Sequence, residues 1–421
     1  MSYLSSLFGL FGGLGMFLYG MTIMSDGMQK AASSKMSKFL NIVTENRIMA
    51  VLLGAGITAL VQSSSATTVM VVGFVNAGIL NLSQSVGIIM GANIGTTITA
   101  WMVSLTQVSG SALSIFKPEF FAPLLVGFGS FRLLFGKKGN DDLLANFCIG
   151  VGLIFIGLEF MSSAVSPYAN SPIFSRAFQI MGGNPILGIL TGAVVTGLIQ
   201  SSAASVSILQ TLALSGAVPR AAGFYITLGQ NIGTCVTAMI SSAGASRTAK
   251  RAAMIHLLFN VTGAVLFGIL IFLMSLPFAS FFQGRLSPVE ISLFHTIFNI
   301  SCTIVLYPFA DLLVALSGKL VLETKKDKEE AENPNHYTEV EKSLIQHLDL
   351  RILESPAIAI AAAKSEVVNM ARITEENIHH ATDILLEEKT EEIPEIFKQE
   401  KVIDNMQKLL TEYLIHIGNL S

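Results

Sequence analysis

Two polar clusters interrupt apolar sequence: Gln62-Ser63-Ser64-Ser65, between runs 48–61 and 66–80, and Gln200-Ser201-Ser202, between runs 186–199 and 203–215. Each cluster reads as the place where one short helix stops and a second begins. Serines there cap the second half-helix, from residue 66 onward in the first cluster, and leave backbone N–H groups free. A helix N-terminus carries about half a positive charge and several donors, so it suits phosphate, sulfate or carboxylate. Two such ends facing each other hold an anion without a Lys or Arg in contact. The same breaks free the carbonyls of Leu60, Val61, Leu198 and Ile199, the negative ends of the first half-helices. With the side chains of Gln62, Gln200, Asn93, Asn231, Thr96 and Thr234 they offer neutral oxygens of the kind that binds Na⁺. Glycine inside Asn-Ile-Gly-Thr, at 93–96 and 231–234, is expected to break both helices and free further carbonyls.

The elements that position these groups follow from composition. The 421 residues are 51% hydrophobic and 13% charged, about half the charge of an average soluble domain. Residues 1–318 carry 22 charges, or 7%, whereas the last 103 carry 33, or 32%. The first part is too poor in charge to cover a globule in water. An all-α integral membrane domain followed by a soluble helical tail is therefore expected. Seven stretches reach the ~20 apolar residues that cross a bilayer: roughly 4–25, 83–105, 118–136, 146–165, 221–241, 252–276 and 289–317. The four shorter runs flanking the polar clusters fit two re-entrant hairpins. Cations concentrate in alternate loops: Lys30, Lys35, Lys38 and Arg47; Lys137 and Lys138; Arg247, Lys250 and Arg251. Positive loops stay cytoplasmic. The expectation is a multi-pass protein of the inner (plasma) membrane with its N-terminus outside and its tail in the cytoplasm. Net charge −3 with no basic aromatic patch argues against nucleic-acid binding. Cys148, Cys235 and Cys302 have neither disulfide nor metal spacing, and no catalytic constellation or nucleotide motif indicates an enzyme.

The chain repeats itself. Residues 54–100 align without a gap onto 192–238, and 17 of 47 pairs are identical. The preceding spans match at an offset of 137, with Gly15, Gly20, Met24 and Ser25 opposite Gly152, Gly157, Met161 and Ser162. Three crossings separate equivalent points, so the second copy is inverted. Inverted repeats with broken helices converging on a midplane site are a transporter architecture. Duplication for assembly alone would explain shared small residues, but not why Gln-Ser-Ser and Asn-Ile-Gly-Thr are among the best-matched segments. Glu159 and Asp311 are the carboxylates well inside apolar stretches. His256 and His295 each precede an Asn by four residues, Asn260 and Asn299, which reads as interhelical hydrogen bonding before proton coupling.

Paired Gln-Ser-Ser blocks, each followed some 28 residues later by Gly-x-Asn-Ile-Gly-Thr, resemble the type II sodium-dependent phosphate cotransporter family over residues ~10–315. The resemblance implies Na⁺-coupled uptake of inorganic phosphate with no organic cofactor. It implies a substrate site at Gln62, Ser63, Ser64, Ser65, Gln200, Ser201 and Ser202, with Na⁺ as the one bound metal ion. Ala203, opposite Ser65, and Cys235, opposite Thr97, depart from the pattern. The expected layout is a transmembrane domain 1–318 (repeats about 4–136 and 146–276, extra span 289–317), a charged linker 319–335 and a bundle 336–421. Helical patterns at roughly 338–353, 356–389 and 393–419 resemble one half of a PhoU-like domain, a surface for a second copy or a regulatory partner. Glu400 and Asp404 share its acidic spacing but read as a solvated face.

Single cysteines in a Cys-free background test the orientation. Positions 35, 137 and 250 should label only from the cytoplasmic side, and 109, 176 and 285 only from outside. Labelling of position 35 in intact cells by an impermeant reagent would overturn both the orientation and the inverted repeat.

Overall fold

A computed structural model of the chain describes residues 2–40, 46–76, 80–104, 118–136, 142–165, 167, 172–243, 245–321, 348–354, 356–387 and 390–418. Its regular elements there are helices. The first repeat comprises α1 (Ser2–Leu40), a hairpin of α2 (Arg47–Val61) and α3 (Ser64–Asn76), then α4 (Leu82–Gly95), α5 (Thr97–Ser104) and α6 (Pro118–Phe135). The second comprises α7 (Leu143–Val165), α8 (Pro172–Gly183), a hairpin of α9 (Pro185–Ile199) and α10 (Ser202–Leu214), then α11 (Arg220–Ser241) and α12 (Arg247–Ser275). A short α13 (Ala279–Gln283) leads to α14 (Pro288–Leu306) and α15 (Ala310–Leu320), separated by a turn of 3₁₀ helix that holds Pro308. The tail contains α16 (Pro356–Glu387) and α17 (Ile393–Gly418).

Helices occupy all seven predicted spans. Among the described residues, five stretches are long and apolar enough to cross a bilayer: Leu4–Met24, Leu82–Ser104, Leu143–Ala164, Arg247–Ser275 and Pro288–Leu320. Three local expectations are corrected. The Lys30–Lys38 stretch, read as a loop, is helical, because α1 runs on to Leu40. Asn-Ile-Gly-Thr is marked in the first copy by a single turn residue, Thr96, between α4 and α5, whose backbone stays helical (φ −60°, ψ −24°) and still donates to Ala92 O, and α11 passes through the second copy unbroken. An interior glycine costs a helix only about 1 kcal/mol, and Gly233 is held by the neighbouring helix, where a Cβ would stand 2.5 Å from the Ala193 carbonyl. In the tail, the first expected helix (338–353) lies mostly outside the described residues, and its described end is a 3₁₀ turn, Leu350–Glu354. The Lys137–Lys138 loop and residues 322–335 of the linker also lie outside them.

The inverted repeat is visible in the packing. α1 and α7 cross where a Cβ on Gly13 would lie 2.7 Å from the Gly157 carbonyl and one on Gly20 would lie 2.7 Å from the Gly150 carbonyl. These are the same two positions in each copy, exchanged. Phe17 and Ile154, also equivalent, are buried at the crossing. Each hairpin's first arm meets its partner helix in the same way. A Cβ on Gly91 would lie 1.9 Å from Val51 O, and one on Gly229 would lie 1.9 Å from Ile189 O. Between helices already in lipid there is little hydrophobic drive, so such close backbone approach supplies the dispersion contact that holds them.

Polar and charged groups close the ends. Asn46 and Asn184, again equivalent, cap α2 and α9 by accepting from Ile48 N at 2.8 Å and Ile186 N at 3.1 Å. Arg47 pairs with Asp311 of α15 and donates to Ser83 at 2.7 Å. Arg220 pairs with Glu290 at 2.7 Å. The tail is fastened to the membrane domain: Asp349 accepts from Asn76 at the end of α3 at 2.5 Å and from Arg351 at 2.7 Å. Asn76 in turn accepts from Ser246 N at 2.7 Å, and Ile352 is fully buried beside them.

The α1–α7 crossing should not tolerate a methyl group. Gly157→Ala places a Cβ 2.5 Å from the Gly13 carbonyl and should lower the melting temperature in detergent, whereas Gly12→Ala, with nothing within 4 Å, should leave it unchanged. Equal melting of the two variants would show that the backbones are not in contact.

Candidate functional site

At both predicted breaks the chain makes the same turn. α2 ends at Val61 and Gln62 adopts φ 57°, ψ 19°; α9 ends at Ile199 and Gln200 adopts φ 56°, ψ 20°. Among the described residues these are the two non-glycine residues in the left-handed region. That conformation costs an L-residue about 1–2 kcal/mol, and residues so held cluster at functional sites. The Gln62 and Gln200 N–H groups donate to Thr58 O and Thr196 O, both at 2.7 Å, closing the first helices.

The second helices start at once. Ser63 Oγ accepts from Ala66 N at 3.1 Å and Ser201 Oγ from Ala204 N at 3.2 Å. The cap is therefore the first serine of each cluster. Ser64 and Ser202, both buried, begin the helix proper. Capping occupies the third N–H of each helix and leaves those of residues 64–65 and 202–203 without an intrahelical acceptor. The arms are stapled side by side: Thr58 Oγ1 donates to Thr67 Oγ1 at 3.0 Å, and Thr196 Oγ1 to Ser205 Oγ at 2.8 Å.

The side chains proposed for Na⁺ are placed less uniformly. Gln62 is buried; its Nε2 donates to Ala59 O, and its Oε1 accepts from Thr99 Oγ1 at 2.8 Å. Gln200 is exposed. Asn93 and Asn231 turn their amide N–H groups back along their own helices, to Ile89 O at 2.9 Å and Thr227 O at 3.1 Å. Asn231 Oδ1 also lies 3.3 Å from His295 Nε2, an interhelical contact of the expected kind. Thr234 Oγ1 donates to Gln230 O at 3.0 Å, and Thr96 sits at the α4–α5 junction. His256 instead has both ring nitrogens buried without a partner among the described residues.

Sequence reasoning missed a polar knot behind the second hairpin. Gln210 Nε2, fully buried on α10, reaches Ala100 O at 3.0 Å, Ser292 Oγ at 2.9 Å and Ser104 Oγ at 3.3 Å. It also missed Gln230, whose Nε2 donates to Ser205 O at 2.9 Å. Their counterparts in the first copy are Val72 and Ala92, so a search for shared polar residues passes over them. Thr99 was detectable, since Thr99 and Thr237 are an identical pair in the alignment.

Residues 16–163 and 167–282, which include both tips, match the family model described as Na⁺/Pi-cotransporter. The chain belongs to the Na⁺/Pi-cotransporter family. Residues 367–420 match a PhoU domain. "Putative inorganic phosphate export protein YjbB" of Salmonella typhimurium is 26% identical over 99% of this chain and 71% of its own length. "Uncharacterized protein YqeW" of Bacillus subtilis is 29% identical over 72% of this chain and 95% of its own. "Sodium-dependent phosphate transport protein 2B" of Homo sapiens is 37% identical over 101 residues, 24% of this chain and 15% of its own. No solved structure matches. The Na⁺/Pi-cotransporter match thus rests on the membrane helices, and the PhoU match on α16 and α17.

In this member of the family the cap assignment has a local readout. Ser63→Ala and Ser201→Ala should each cost about 1 kcal/mol, or roughly fivefold faster hydrogen exchange in the first turn of α3 or α10. Ser64→Ala should not. Equal acceleration by Ser64→Ala would move the cap to that residue.

Proposed function

We propose that this protein is a sodium-coupled secondary transporter that imports inorganic phosphate across the plasma membrane by alternating access, with its tail in the cytoplasm. The observation that carries this reading is the pair of equivalent tips, each a left-handed glutamine followed by a serine-capped helix N-terminus. In the proposed site, Gln62, Ser63, Ser64, Ser65, Gln200, Ser201 and Ser202 bind phosphate through backbone N–H groups, hydroxyls and amides. The carbonyls that end α2 and α9, with Gln62, Asn93, Thr96, Gln200, Asn231 and Thr234, receive Na⁺. Bound Na⁺ offsets the charge of the anion, so the pair crosses at lower electrostatic cost than phosphate alone.

Sodium rather than protons suits these groups, because Gln, Ser, Asn and Thr do not titrate near neutral pH. Asp311, one of the two carboxylates well inside apolar stretches, is paired with Arg47 and 75% exposed. The layout proposed is the membrane domain 1–318, the linker 319–335 and a PhoU-like bundle 336–421 that offers a surface to a regulatory partner or a second copy. A second reading, outward movement of phosphate, is favoured by the name that the YjbB relatives carry. Helix dipoles also accept other oxyanions and carboxylates, so selectivity needs its own measurement, and the alternative of a different class is a phosphate-sensing membrane regulator that signals through the tail with little flux.

Proteoliposomes loaded without phosphate resolve these readings. An inward Na⁺ gradient at fixed pH should drive accumulation of labelled phosphate, and K⁺ should not replace Na⁺. Sulfate and a dicarboxylate should compete weakly. The Gln62→Ala/Gln200→Ala double variant should lose at least tenfold of the uptake, since an unpaired buried polar group costs ~1–3 kcal/mol. Normal uptake by that variant would remove the site from the tips. A pH gradient alone that drives accumulation in Na⁺-free buffer would overturn the coupling. Efflux that persists where Na⁺-driven uptake fails would establish export.

A further inference from the structure

The two tips agree in backbone, cap and arm staple, and among their side-chain differences one involves a pair of residues identical in both copies. In the first repeat, Gln62 is 6% exposed and its Oε1 accepts from Thr99 Oγ1 on α5 at 2.8 Å. In the second, the equivalent residues are Gln200 and Thr237, the same types at the same offset of 138. They do not meet. Gln200 is exposed, while Thr237 Oγ1 on α11 is buried with no partner among the described residues. Around this contact the geometry is shared: φ is 57° and 56°, the cap N–H bonds are both 2.7 Å, and the staples are 3.0 and 2.8 Å. The halves therefore hold one local fold in two side-chain states, latched in the first and released in the second.

In an inverted-repeat transporter one half moves against the other around a fixed site, and for two copies of one fold the oppositely facing state is the one in which each half takes up the other's conformation. A contact present in one half and absent from the other is then a contact that the exchange breaks and remakes. We propose that Thr99 and Thr237 are alternating positioning residues: Thr99 holds Gln62 against α5 in the conformation described, and Thr237 holds Gln200 against α11 in the oppositely facing one. Each threonine acts through its glutamine and withdraws that amide from the tip while the other amide is free. The inference rests on the tips being the transport site, and it adds which tip is engaged in which state. The neighbouring residue gives the exchange a path between hairpins. Ala100 O, next to Thr99, accepts from Gln210 of the second hairpin at 3.0 Å and from Ser292 at 2.8 Å.

The test reads conformation separately from flux. Ala203→Cys, placed at the second tip in a Cys-free background, is labelled with an impermeant reagent applied from either side of oriented vesicles. Thr99→Val removes a bond from the described state and Thr237→Val removes one from its opposite. The ratio of outside to inside labelling should therefore move in opposite directions in the two variants, each by roughly threefold to tenfold, the worth of one hydrogen bond. Thr99→Ser and Thr237→Ser keep a hydroxyl and should restore the starting ratio. A Val variant that fails to fold is replaced by Ala at the same position. Ratios that move in the same direction, or stay fixed, overturn the latch. The outcome is separable from the site assignment. Opposite shifts alongside normal uptake by Gln62→Ala/Gln200→Ala would leave the latch and remove the site, and the reverse combination would do the opposite.

Discussion

A helix that stops inside an apolar domain strands up to four carbonyls, and the one that follows strands up to four N–H groups, with no water to take them. The rest of this molecule is arranged around that constraint. At 62 and 200 the chain answers it by turning through the left-handed region, which folds the cap N–H back onto Thr58 or Thr196. Ser63 and Ser201 take one N–H of each following helix. The remaining donors have no intrahelical acceptor, and they are what the proposed site offers to an anion. A fully satisfied turn would be more stable and chemically inert.

Short arms must also be held in place by something other than length. Fifteen- and thirteen-residue helices lack the surface to anchor themselves in lipid, so each first arm is pressed backbone to backbone against α4 or α11. That explains why the glycines of Gly-x-Asn-Ile-Gly-Thr recur in both copies. Gly91, Gly95, Gly229 and Gly233 are packing positions, where a Cβ would come within 1.9–2.5 Å of a carbonyl oxygen. Asn93 and Asn231 lie between these contacts, and Thr96 and Thr234 directly follow them.

Much of this was legible in the residue order. Apolar run length located the helices, and the offset of 138 located both tips, because the second copy repeats the polar residues in kind. The left-handed turn was not legible, because glutamine carries no conformational signature of the sort glycine does. Nor was the Gln210 knot, whose partners lie at least 78 residues away in sequence. The docking of Asp349 on Asn76, 273 residues apart, is equally silent in periodicity. Local pattern encodes elements and symmetry, while contacts peculiar to one copy are seen only once the helices are assembled.

The exchanged glycines of α1 and α7 bear on how the sequence can drift. At Gly13, Gly20, Gly150 and Gly157 the neighbour is main chain, which no compensating substitution can trim. A bulkier residue at any one of them can be accommodated only by prising the two helices apart. The crossing therefore leaves room for larger residues on the faces of these helices that turn away from it, as at Gly12 and Gly15, where an added Cβ meets nothing within 4 Å.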